Sequence, residues 1–144
     1  SGMLVTEVKK QMQSFAEDIV LAIIDGSPGI GCPVIASLSG VDMVLIVAEP
    51  SISGISDMER IIKTARGFQT RIAVCVNKYN TNLEKTTDIV RYCQENELPF
   101  VGKIPFDPKV VESVNQGRSI VDVKCPAGEA AKAIYRQTMQ VLLA

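Results

Sequence analysis

Asp25 closes the apolar run Leu21-Ala22-Ile23-Ile24, and a glycine-rich turn from Gly26 to Gly31 follows at once. A buried parallel strand delivers an acid to a phosphate site in this manner. The carboxylate of Asp25 suits a hydrated magnesium ion, held through water. The turn offers backbone N–H groups that approach a terminal phosphate closely, because Gly26, Gly29 and Gly31 carry no side chain. The competing reading of Asp25 is an acid that accepts N–H bonds from its own turn. That reading leaves the three glycines unexplained. A Gly-x-x-x-x-Gly-Lys-[Ser/Thr] phosphate cradle is absent from the 144 residues. The residues therefore read as most of a nucleotide-binding domain without its first phosphate-binding strand and loop.

Two further loops carry polar groups after apolar runs. In Asn77-Lys78-Tyr79-Asn80, Asn80 stands where guanine-specific GTPases place an aspartate that accepts from two base donors. An amide matches two donors poorly, so guanine preference is not supported. Asn77 can both donate to and accept from an adenine edge; its alternative is a strand-end turn residue. In Ile104-Pro105-Phe106-Asp107-Pro108, Pro105 stiffens the loop and its carbonyls can accept from an adenine amino group. Asp107 is equally explained as a helix N-cap. Glu49-Pro50-Ser51 reads best as a plain turn.

Composition removes several chemistries. Histidine is absent, which excludes histidine triads and most zinc sites. The four cysteines, Cys32, Cys75, Cys93 and Cys125, form no Cys-x-x-Cys pair, so no cluster or structural zinc is signalled. They read as reduced thiols, with Cys32 at a helix N-terminus the one candidate for reactivity. A net charge of -1 offers no bulk attraction to nucleic acid or to an anionic membrane. No apolar run approaches the roughly 18 residues of a membrane span, and the first turn does not read as a leader. A cytoplasmic protein is expected, with no nucleic-acid or membrane partner.

The elements that must position these loops follow from periodicity. The spacing predicts helices over residues 3–17, 33–39, from a Ser53 cap to Gly67, 82–96, from Asp107 to Gly117, and 127–143. Strands are expected over 20–25, 42–49, 71–76 and 99–104, with a small edge strand over 120–123. Strict alternation of helix and strand implies parallel strands joined by right-handed crossovers. The expected fold is thus α/β: a three-layer α/β/α arrangement around a mainly parallel sheet, of P-loop NTPase or Rossmann-like type, with its N-terminal strand missing. Residues 1–144 read as a single partial nucleotide-binding domain, with a core over 1–123 and a C-terminal helix over 127–143. Ligands of such sheets bind at the C-terminal strand ends, where all three loops fall.

At these residues the chain resembles the MinD/ParA/Mrp group of deviant P-loop ATPases. Asp25-Gly-Ser-Pro28-Gly29-Ile-Gly31 is similar to the Asp-x-Pro-Pro-Gly-x-Gly switch II of the Mrp branch, with Ser27 in place of the usual proline. Residues 50–60 resemble the segment after the next strand in MinD, and Asn77, Pro105 and Asp107 match adenine-pocket positions. Residues 1–5 and 24–34 look most like the MinD-type ATPase that contains an inserted ferredoxin domain. The resemblance implies ATP and magnesium as cofactors and an ATP-sandwich homodimer whose hydrolysis switches a protein partner. It implies that Asp25 contacts magnesium through water and that Gly29 contacts the terminal phosphate. It also implies that the signature lysine, the phosphate loop and any iron–sulfur ligands lie outside this chain, which alone is expected not to hydrolyse ATP. The coupled partner process expected is iron–sulfur or metallocofactor chemistry. The alternatives are a non-catalytic dimerising scaffold of the same fold, and the ATP-binding part of a ligase similar to cobyrinic acid diamide synthase.

Overall fold

A computed structural model describes residues 6–11, 20–26 and 31–144. Three parallel strands form its sheet, in the order β1 (Met43–Ala48), β2 (Arg71–Asn77), β3 (Phe100–Ile104). Helices α1 (Cys32–Leu38), α2 (Ile52–Gly67), α3 (Leu83–Glu95), α4 (Pro108–Asn115) and α5 (Pro126–Leu143) alternate with and follow the strands. Residues 6–11 are helical; the rest of the helix expected over 3–17 lies outside the described residues.

The strands' period-two alternation builds two cores. Ile46 and Ala48 of β1 and Ile72, Val74 and Val76 of β2 meet Met58, Ile62 and Ala65 of α2, Ile89 and Cys93 of α3, and Val34 and Leu38 of α1. Ala73 and Cys75 of β2, with Val101 of β3, meet Ile134 of α5 on the opposite face. Burial on both faces is why the strands are near-continuous apolar runs. The α/β three-layer expectation holds.

Three expectations fail. Residues 20–25 form no strand: the segment is irregular and its apolar side chains are largely exposed, Val20 at 103% and Ile23 at 82%. A strand exists only by laddering with a neighbour, and β1 pairs with β2 alone among the described residues. Residues 120–122 form a 3-10 turn rather than an edge strand. That turn packs against the start of α5, where the backbone of Gly128 lies close to the carbonyls of Ile120 and Val123. The cap of α2 is Ser51, whose Oγ accepts from the Gly54 N–H at 2.9 Å, while Ser53 sits inside the helix.

Long-range side-chain contacts seal helix ends. Arg71 donates to the carbonyls of Val141 and Leu142, the latter at 2.7 Å, at the C-terminus of α5. Lys9 Nζ donates to the carbonyls of Ala36, Ser37 and Ser39 at the end of α1. Both place a cation at the negative end of a helix dipole.

Candidate functional site

Register aligns the strand ends. Ala48 pairs with Val76, so Glu49 emerges beside Asn77, and Asn77 in turn pairs with Ile104. Three connections therefore leave the sheet at one rim: Glu49–Ser51, Asn77–Thr81 and Pro105–Asp107. This is the carboxyl edge at which open α/β sheets take ligands.

The turn after β1 is tight. The Ser51 N–H reaches the Glu49 carbonyl at 2.9 Å. A Cβ on Gly54 would stand 2.2 Å from the Glu49 oxygen, so only glycine lets α2 start this close to the strand end. After β2, Lys78 takes a left-handed backbone conformation at φ 53°, a conformation that side chains rarely adopt and that clusters at functional turns. A 3-10 turn over Tyr79–Thr81 follows. Thr86 of α3 donates to the Tyr79 carbonyl at 2.8 Å and holds that turn against the helix.

The second and third loops are tied together. Asn80 Oδ1 accepts from the Phe106 N–H at 2.8 Å. Lys103 Nζ stands 4.6 Å from the centre of the Tyr79 ring, a cation over an aromatic face. Asn77 and Pro105 are half-buried. Phe106 is 54% exposed and, with Pro108, Val111, Glu112, Asn115 and Gln116, lines an open groove of about 500 Å³. Asp107 uses both carboxylate oxygens on backbone: Oδ1 accepts from Lys109 N at 3.0 Å and Oδ2 from Ala127 N at 3.2 Å. Those two N–H bonds hold its carboxyl below the ordinary carboxylate value.

The remaining residues singled out in the sequence lie elsewhere or outside the described residues. Asp25 and Gly26 are exposed in the irregular 20–26 segment. Gly31 is the N-cap position of α1, at φ 125°. Gly29 lies outside the described residues. No cluster of three or more metal-ligating side chains occurs among the described residues. Magnesium nonetheless suits a single carboxylate, because it keeps several waters and takes its other ligands from phosphate oxygens. Sequence reasoning missed Tyr79, Lys103 and Phe106. The signals were a lysine inside an apolar strand and an aromatic between two prolines.

No protein-family profile matches the chain. An ATP-binding protein of Methanocaldococcus jannaschii, MJ0547, is 30% identical over 89% of this chain and 47% of its own length. The septum site-determining protein MinD of Bacillus subtilis is 27% identical over 92% of this chain and 52% of its own. In sequence and fold the chain is similar to the MinD/ParA group of P-loop ATPases. It spans about half the length of these curated relatives. The MinD-type fold is equally plain in three dimensions. The MinC:MinD cell division complex of Aquifex aeolicus superimposes with a TM-score of 0.74 at 25% identity, over 97% of this chain and 60% of the other. A shorter similarity, 30% identity over 55% of this chain and 25% of the relative, joins this MinD-type chain to a cytosolic Fe-S cluster assembly factor, the Nubp1 homolog of Drosophila pseudoobscura pseudoobscura.

Proposed function

We propose that residues 1–144 are the C-terminal portion of an ATP-binding domain, a single partial domain of a MinD-type ATPase that couples ATP binding and hydrolysis to a protein partner. The observation that carries this reading is the tie from Asn80 to Phe106. It ties the Asn77 and Pro105 loops to each other at the carboxyl rim. There Asn77 reads the adenine edge by donating and accepting, and the Pro105 loop supplies carbonyl acceptors for the amino group. Asp107 shapes the loop through its backbone bonds. Asp25 would hold magnesium through water, and Gly26, Gly29 and Gly31 would offer backbone N–H groups to the terminal phosphate. Magnesium supplies charge neutralisation at the phosphates. The phosphate loop and any cluster ligands belong to polypeptide outside these residues. An iron–sulfur or metallocofactor process is the coupled partner chemistry, supported by the similarity to the Fe-S assembly factor. A homodimer is the functional assembly, supported by the similarity to MinD-type proteins.

The test is ATP binding with magnesium, by calorimetry, on the whole gene product. Asn77→Ala weakens ATP about tenfold, the equivalent of one lost base contact of about 1.4 kcal/mol, with GTP binding weak in both. Asp25→Asn keeps binding and loses turnover. A folded product that takes no ATP overturns the reading in favour of a scaffold of the same fold.

A further inference from the structure

The hydrogen bond between Asn80 and Phe106 sets an orientation as well as a spacing. Its donor is the N–H of the Pro105–Phe106 peptide unit, 2.8 Å from Asn80 Oδ1. A peptide unit is planar, and no cis bond occurs among the described residues, so its C=O points opposite to its N–H. The Pro105 carbonyl is therefore turned away from Asn80. Among the described residues it accepts no hydrogen bond, although Pro105 is half-buried. A carbonyl so placed calls for a donor. The loop is anchored on either side of this unit. Ile104 pairs with Asn77 in the sheet, the Pro105 ring locks its own φ, and Asp107 is bound through both carboxylate oxygens to Lys109 N and Ala127 N. Between these anchors the peptide plane turns on Pro105 ψ and Phe106 φ. Proline by itself does not choose the plane, since it precedes the central peptide in type I and type II turns alike, and those differ by a flip of that peptide. Asn80 supplies the restraint, and it is itself held. The Thr81 N–H and hydroxyl both reach the Lys78 carbonyl, at 3.0 and 2.7 Å, and Thr86 binds the Tyr79 carbonyl at 2.8 Å. A backbone N–H only donates, so the Asn80 amide must present its oxygen to Phe106.

We propose that Asn80 is a positioning residue for purine selection: by holding the Phe106 N–H it keeps the Pro105 carbonyl aimed as an acceptor, and so favours an amino-purine nucleotide over an oxo-purine one. This rests on the reading that the Pro105 loop receives the adenine amino group. The exocyclic amino group of adenine donates to the fixed carbonyl. The exocyclic oxygen of guanine sets acceptor against acceptor and leaves both unpaired, which disfavours that base. Once the peptide is free to turn, its N–H can swing round to the guanine oxygen and the preference fades. Asn80 exerts this effect without touching the base, unlike the aspartate that guanine-specific GTPases place at the same point of the chain.

Calorimetry on the whole gene product with magnesium compares ATP, GTP and purine riboside triphosphate, which lacks the exocyclic amino group. Asn80 is exposed, so its variants keep the fold. Asn80→Ala lowers the preference for ATP over each of the other two about tenfold, the worth of one hydrogen bond. Asn80→Asp keeps an acceptor for the Phe106 N–H and restores the preference. Equal weakening of all three nucleotides in Asn80→Ala marks a merely structural tie and overturns the proposal. A gain of GTP binding in Asn80→Asp puts Asn80 itself against the base and overturns it too. Amide exchange without nucleotide is the second readout: the Phe106 amide speeds up in Asn80→Ala and stays slow in Asn80→Asp. A Phe106 amide equally slow in Asn80→Ala shows that the peptide is held without Asn80, and overturns the proposal alone. A parent protein that binds ATP no better than purine riboside triphosphate overturns the assignment of the Pro105 loop and the proposal with it. One that binds no nucleotide overturns the ATP-binding reading beneath both.

Discussion

Asp107 Oδ2 accepts the backbone N–H of Ala127 at 3.2 Å, across twenty residues of sequence, while Oδ1 caps its own helix α4 at Lys109. One carboxylate thereby closes the N-termini of both α4 and α5. An anion suits both positive helix ends. The contact also locks the Pro105–Pro108 loop to the helix that covers β3.

Asp107→Ala therefore lowers thermal stability, and Asp107→Asn recovers part of the loss by keeping one acceptor. The acid limb provides a second check. Because the folded carboxyl titrates below its ordinary value, its stabilisation is complete above the unfolded value and drains away as pH falls through the folded one. Urea midpoints measured from neutral to acid pH fall less steeply in Asp107→Asn than in the parent. Parallel curves contradict the double cap.

Gly54→Ala tests the turn after β1. The new methyl carbon meets the Glu49 carbonyl at 2.2 Å, and backbone must move to admit it. Overpacking of this kind costs about 1–3 kcal/mol. Urea unfolding reports the loss. In ATP-binding measurements on the whole product, the variant also reports whether the Glu49–Ser51 turn lines the site.

Asn80→Ala removes the acceptor for the Phe106 N–H. The stability cost is small, about 0.5–1.5 kcal/mol, as for one intramolecular hydrogen bond. The Phe106 amide exchanges faster, and ATP affinity falls by more than the fold weakens. Unchanged affinity with a faster amide separates the loop tie from ATP binding.

Cys75 and Cys93 are buried thiols whose pKa burial pushes up to about 11. The thiolate is the nucleophile, so neither is alkylated by iodoacetamide at neutral pH while the chain is folded. Labelling followed by mass spectrometry across a urea series shows both modified together, at the unfolding midpoint. Early modification of one alone marks local opening of its face of the sheet.

Much of the fold is legible along the chain because local rules decide it. β1 and β2 are apolar runs bounded by turn residues. Asn82 caps α3 by accepting from Lys85 N at 3.0 Å, as an Asx side chain before a helix does. The α2 cap was harder to read, because Ser51 and Ser53 both qualify by type. Only the path of the chain out of β1 puts Ser51 Oγ, rather than Ser53 Oγ, before the orphan N–H. Tyr79, Lys103 and Phe106 were missed for a related reason: their roles depend on neighbours in adjacent loops, not on neighbours in sequence.

The amino-acid sequence by itself determined the parallel α/β class, the apolar strands β1 to β3 and the polar loops that close β2 and β3, because hydrophobic period and turn chemistry are local properties. Tertiary structure alone decided which apolar runs become strands. Val20–Ile24 and Val44–Ala48 are similar in composition, yet only the second lies beside a strand with which it can exchange hydrogen bonds. A ladder belongs to two segments at once, so no single run carries it.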